Sequence, residues 1–138
     1  MFQKRAREQY GVEVNSGPFG INSRPALVLE KYAQSQGKGD EFHKAVMHAY
    51  WQEARSIDDP AVLKELAEQV GLNTENFDDI LANPTFDAQV TADIEQAYEY
   101  GLNAVPALIF ADRYLIMGAQ PYEVLKQAVE KVQEENRA

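Results

Sequence analysis

Apolar residues recur along most of this chain at spacings of three and four, and near its end they gather into two short continuous runs. In "INSRPALVLEKYAQSQGKG" a polar cap at Asn22 or Ser23 precedes Pro25 in the first turn, and Gly37 and Gly39 stop the pattern. Proline suits a first turn because the amides there have no intrahelical partner, and glycine accepts the left-handed conformation that ends a helix. The spacing predicts a helix over about residues 24–36. Phe42, Ala45, Val46, Ala49 and Tyr50 predict a second, over about 40–54, with one buried face. Asp59-Pro60 repeats the cap and proline ahead of Val62, Leu63, Leu66, Ala67 and Val70, a stripe that ends at Gly71. Asn73 or Thr74 then caps a short helix through Phe77, Ile80 and Leu81. Asn83-Pro84 opens a longer one, in which Phe86, Val90, Ile94, Ala97 and Tyr98 share a face until Gly101.

After Gly101 the period changes. Residues 107–110 and 114–117 are short, β-prone and apolar, and Ala111-Asp112-Arg113 has the length of a hairpin turn, with Gly118 closing the second strand. Gln120-Pro121 starts a last helix that turns Val124, Leu125, Ala128, Val129 and Val132 inward, while "QEENRA" frays. The opening "MFQKRAREQY" reads as a short helix, and "GVEVNSGPFG" as a loop or a three-residue strand. The fold class is therefore mainly α with a small β-hairpin. A lone hairpin is marginal in water, and strands apolar on both faces are ordinarily covered on both sides. This hairpin needs more sheet, or a partner that supplies it.

Composition narrows the function. The 138 residues, 45% of them hydrophobic, suffice for one globular domain. A net charge of -9 weighs against nucleic acid and against an anionic membrane surface. Lys4, Arg5 and Arg7 lie beside Glu8 and read as a solvated helix face. There is no apolar run of about 18 residues to span a membrane, and the first ten residues lack the apolar core of a secretory signal, so a cytoplasmic chain is expected. Cysteine is absent, which excludes disulfides, thiolate metal ligands and cysteine nucleophiles supplied by this chain. His43 and His48 are five apart, unlike the i,i+4 pair of a helical zinc site. Asp58-Asp59 and Asp78-Asp79 are explained as a cap and as the outer face of a short helix. No metal and no cofactor is expected. Tyr98, Tyr100 and Trp51, on or beside apolar stripes, are expected in the core or an interface.

The stretch "YGLNAVPALIFADRYLIMGAQPYEVLKQAVE" resembles the closing ββα unit of DsbA-like thiol-disulfide oxidoreductases, which have a thioredoxin fold. It is most similar to the FrnE-type branch, in which the last helix opens after a Gly-Ala-Gln-Pro turn. The upstream segment from Asn22 to Leu72 resembles the helical insertion these proteins carry. The resemblance implies three parts: an N-terminal helix and loop over 1–21, a helical insertion domain over 22–101, and the C-terminal part of a thioredoxin-like domain over 102–138. It also implies that Pro106 takes the position of the family's cis-proline, with Val105 offering its backbone to a peptide or small thiol substrate, and that surface function gathers at Val105, Pro106, Gly118 and Ala119. The family's opening strand and Cys-x-x-Cys unit have no counterpart here, so the chain is expected to be redox-inactive as it stands. Glutathione-dependent isomerases of 2-hydroxychromene-2-carboxylate and kappa-type transferases share the architecture and form the enzymatic alternative. A non-enzymatic helical interaction module is the other. With its covering unit gone, the hairpin is expected to pair with a second copy as a homodimer, unless the helical insertion or a strand at Val12-Glu13-Val14 covers it.

Overall fold

The helix expected at the start of the chain forms across Phe2–Tyr10 (α1), and five more follow: Arg24–Ser35 (α2), Gly39–Trp51 (α3), Pro60–Gln69 (α4), Phe77–Leu81 (α5) and Pro84–Glu99 (α6). Two strands, Ala107–Phe110 (β1) and Tyr114–Met117 (β2), precede the last helix, Tyr122–Arg137 (α7). The computed structural model describes residues 2–137; Met1, placed by the sequence in the first helix, and Ala138, at the end of the fraying tail, lie outside the described residues. The chain divides into two compact units, one up to Ala92 and one from Asp93 onward.

The first unit holds the core. Leu29 and Ala33 of α2, Phe42 and Ala49 of α3, and Leu63, Leu66 and Ala67 of α4 pack into one buried cluster, joined by Ile57, Leu72 and Phe77. These are the apolar stripes read from the sequence, brought face to face. The glycine stops act through one geometry. Gly37, Gly71 and Gly101 take φ of 71°, 76° and 69°. The amide after each bonds back five residues, Lys38 to Ala33 at 2.8 Å, Leu72 to Ala67 at 2.9 Å and Leu102 to Ala97 at 3.0 Å. Lys38 then reaches across to cap another helix end, its Nζ donating to the Val70 carbonyl at 2.7 Å.

The caps differ in part from expectation. Asp59 accepts from the Ala61 amide at 2.9 Å and Asn83 from Thr85 at 2.9 Å, as an N-cap does. At α2 the bond comes from Asn22, which accepts from the Arg24 amide, while the cap residue Ser23 makes none. Neither Asn73 nor Thr74 caps α5. Asn73 closes a local turn onto the Glu75 amide, and the helix starts three residues later, after Asn76. Removing the cap at α4 by Asp59→Ala is expected to cost about 1 kcal/mol. In urea unfolding this should lower the midpoint with an unchanged slope, and an unmoved midpoint would contradict the role.

α3 ends three residues before the expected boundary, for a reason outside its own sequence. The carbonyls of Tyr50 and Trp51, which a longer helix needs as acceptors, instead accept from Gly17 at 2.6 Å and Asn15 at 2.8 Å. Ala54 then turns left-handed at φ 55°, and the Arg55 amide returns to Ala49 at 2.9 Å. The segment around residues 15–18 is thus a strap across the end of α3, held further by the Tyr50 hydroxyl donating to the Pro18 carbonyl at 3.1 Å. Val12, Glu13 and Val14 add no strand: the Val12 amide bonds back to Ala6, and the sheet among the described residues has two strands.

A second tie links elements far apart in sequence. Arg24 at the start of α2 donates to the Asp87 carboxylate at 2.7 Å, to the Asp87 carbonyl at 3.2 Å and to the Thr91 hydroxyl at 2.6 Å, which clasps the first half of α6. Its hydrogen bond holds the Asp87 carboxyl below its ordinary pKa and raises that of Arg24. Because the folded carboxyl is the more acidic one, the clasp acts above the unfolded carboxylate pKa and is lost as pH falls through the folded value. Both groups lie in solvent, so its contribution is small.

In the second unit β1 and β2 pair antiparallel, Ala107 opposite Met117 and Phe110 opposite Tyr114. The turn places Ala111 and Asp112 at φ 51° and 55° and is closed by the Arg113 amide donating to the Phe110 carbonyl at 3.0 Å. Both φ values belong to the left-handed region that tight hairpin turns demand, met here without glycine. α7 is tied to the start of β2, with Lys131 Nζ 4.7 Å from the Tyr114 ring centre and Arg113 3.1 Å from Glu135. No described residue from Asp93 onward is buried. Two expected stripes therefore stay open. On α7 only Leu125, Ala128 and Val132 are half-buried, and Val124 and Val129 are exposed, because a two-stranded hairpin is too narrow to cover all five. On α6 Val90 is buried, but Ile94 and Tyr98 lie beyond the half that the clasp holds and are exposed.

Candidate functional site

The four residues singled out in the sequence come together at the open end of the hairpin. The Val105-Pro106 peptide bond is cis, and the Gly118 amide donates to the Pro106 carbonyl at 2.7 Å, so Val105-Pro106 and Gly118-Ala119 face each other across the mouth. Gly118, at φ 78°, turns the chain out of β2 toward α7. Gln120 braces that corner, its Nε2 donating to the Met117 carbonyl at 2.9 Å. Val105 is 91% exposed, and no hydrogen bond among the described residues engages its amide or carbonyl. An extended backbone laid beside Val105 therefore finds a donor and an acceptor ready to pair.

Hydrogen-bond parity extends this row. An antiparallel ladder alternates residues that exchange bonds with the partner strand and residues that point both polar groups away from it. With Pro106 and Gly118 bonded, the exchanging pairs are Leu108 with Ile116 and Phe110 with Tyr114, so Ala107 and Ile109 turn their amides and carbonyls to the outer edge of β1. On β2 the outward residues are Leu115 and Met117. The proline's missing N–H falls on the inner side, where it leaves the outer edge of β1 intact. This edge was not singled out from the sequence; the register of the hairpin, combined with the place of Pro106, carries the signal.

The other candidates fall elsewhere. Tyr98, Tyr100 and Trp51, expected in the core or an interface, are all exposed, which rules out the core half of that expectation. Trp51 rests edge-on against Phe2 and Tyr50, with ring centres 6.2 and 4.9 Å apart. Tyr100 lines a pocket of about 200 Å³ with Ile109 and Leu115 at the turn end of the hairpin, away from Val105. His43 and His48 approach different carboxylates, Glu30 and Glu53, each at 3.3 Å. Asp78 and Asp79 are exposed on α5. Among the described residues no helix is long and apolar enough to cross a membrane.

A ββα unit carrying a proline at the hairpin mouth, behind a helical region, is the arrangement that comparison with known proteins places in a family. The model for DSBA-like thioredoxin domains matches residues 3–130, and the chain belongs to that family. It is 32% identical over 125 residues to the uncharacterized protein YwbO of Bacillus subtilis (strain 168), across 88% of this chain and 62% of that one. The crystal structure of a probable DsbA oxidoreductase from Streptomyces coelicolor is similar with a TM-score of 0.72 and 29% identity, over 83% of this chain and 50% of that one. The chain thus spans less than two thirds of the length of either.

Proposed function

We propose that this chain holds an extended peptide or a small thiol at the hairpin mouth, in the manner of a DsbA-type oxidoreductase, and that it does not exchange disulfides by itself. The observation that carries the binding half is Val105, whose amide and carbonyl are unengaged among the described residues beside the Gly118-Ala119 corner. Main-chain pairing supplies affinity to an extended ligand, and flanking side chains select it. The silent half is chemical. Exchange proceeds by attack of a thiolate on a disulfide sulfur, and none of the 138 residues is cysteine. A cytoplasmic setting belongs to the same proposal, since a cysteine-free chain makes no demand on an oxidising compartment.

Titration of the isotope-labelled chain with a reduced cysteine-containing peptide, and separately with glutathione, tests the reading. The amide resonances of Val105, Ala107, Gly118 and Ala119 are expected to shift together and saturably, while insulin reduction stays at the buffer rate. Resonances unmoved at millimolar ligand would overturn the binding site, and turnover above the buffer rate would overturn the silence.

A further inference from the structure

We propose that Gln120 is a positioning residue for the hairpin mouth, holding the Met117-Gly118 peptide group in the one orientation that forms it. This rests on the peptide-binding reading and adds to it what keeps the binding corner in shape.

Three observations carry it. First, the Met117 carbonyl and the Gly118 amide are the two ends of a single peptide group, and each is engaged on its own side. Gln120 Nε2 donates to the carbonyl at 2.9 Å from outside the hairpin, and the amide donates to the Pro106 carbonyl at 2.7 Å within it. A carbonyl that accepts a bond polarises the amide of its own group, so the two bonds strengthen one another. Second, the tie across the mouth is single. Pro106 has no N–H, so its pairing with Gly118 holds one main-chain bond where an exchanging pair holds two. Third, glycine does not fix this plane by itself. Gly118 stands at φ 78°, and glycine takes either sign of φ about as readily, so the group can turn over once its bonds are gone. Turned over, it sets the Met117 carbonyl against the Pro106 carbonyl and spreads Val105 from Ala119.

The side chain is well placed for this task. Its Nε2 lies 3.8 Å from where a Cβ on Gly118 would sit, so it rests against the corner it holds. The next residue, Pro121, accepts from the Val124 amide at 3.0 Å, which anchors the backbone beside Gln120 to the start of α7. Every atom involved lies between Pro106 and Val124, inside one compact unit, and the Met117 carbonyl faces away from β1.

The free chain tests this without any ligand. In the isotope-labelled full chain, a scalar coupling across the hydrogen bond from the Gly118 nitrogen to the Pro106 carbonyl carbon is expected, and it is expected to vanish in Gln120→Ala. Gln120→Glu keeps the shape but turns a carboxylate toward the Met117 carbonyl at neutral pH. The coupling should be lost there and return at about pH 3.5, where a protonated carboxyl donates as the amide did. Amide exchange at Leu108 and Phe110, unaltered in the variants, shows that the strands survive. With the reduced cysteine-containing peptide as probe, Gln120→Ala is expected to bind about fivefold more weakly, for one lost hydrogen bond. A coupling that survives Gln120→Ala, or that stays absent from Gln120→Glu at low pH while the unchanged chain keeps it, would overturn the proposal. A peptide that moves no resonance of the unchanged chain would instead overturn the binding reading, and the coupling alone would then decide the role of Gln120.

Discussion

Phe42→Ala is expected to cost about 3–5 kcal/mol of stability, the usual range for deleting a buried phenylalanine when the site only partly collapses. Phe42 has no exposed surface, and it stands with Leu29, Leu63 and Leu66 among the largest fully buried side chains. These come from three helices, α2, α3 and α4, so no single backbone shift closes the cavity. A domain of ordinary stability has about 5–15 kcal/mol in total, and the loss should leave the helical unit marginal at room temperature. Phe19 provides the contrast. It is as apolar, yet fully exposed on a turn, and Phe19→Ala is expected to change stability by no more than about 0.5 kcal/mol. Urea unfolding followed by circular dichroism measures both. A Phe42→Ala cost below about 1 kcal/mol, or equal costs for the pair, would show that the core is not where these helices place it.

Gly17→Ala is expected to release the strap from the end of α3 and to cost about 1–3 kcal/mol, as forced overpacking does. A Cβ on Gly17 would lie 2.5 Å from the Arg55 carbonyl oxygen and 2.5 Å from the Tyr50 ring. The ring can swing aside, but the carbonyl belongs to backbone held by the Ala49 bond and cannot. The Gly17 amide would then leave the Tyr50 carbonyl. Two readouts follow: faster hydrogen exchange at the amides of Asn15 and Gly17, and a lower unfolding midpoint. Exchange at those amides matching that of the unchanged chain would mean that the close approach is not required.

The two glycine effects in this chain differed in how readable they were. Gly37, Gly71 and Gly101 each follow a helical stripe directly, so the need for a left-handed residue is local and visible in the order of residues. Gly17 sits in a stretch with no period, and its requirement comes from Tyr50 and Arg55, more than thirty positions away. The same distinction separates the parts of the candidate site. Val105, Pro106, Gly118 and Ala119 were named from a resemblance whose motifs are contiguous. The open edge at Ala107 and Ile109 was not, because it depends on which residues of two strands exchange hydrogen bonds.

Taken by itself, the order of residues determined the helices that carry caps and glycine stops, the two strands and the turn between them, and the lack of any thiolate in this chain. Each of these rests on interactions within a few positions or on the presence of an atom. Tertiary structure alone decided where those elements bury their faces. The stripe of α6 predicted Val90, Ile94 and Tyr98 alike, yet only Val90 is covered, since covering depends on a clasp from Arg24 that lies 63 residues away from its partner Asp87. α3 likewise stopped at Trp51 because amides from Asn15 and Gly17 occupied the carbonyls that its next turn required. Local preference chooses a conformation for a segment, but a buried face or an occupied carbonyl is a relation between segments, and no period along one of them can state it.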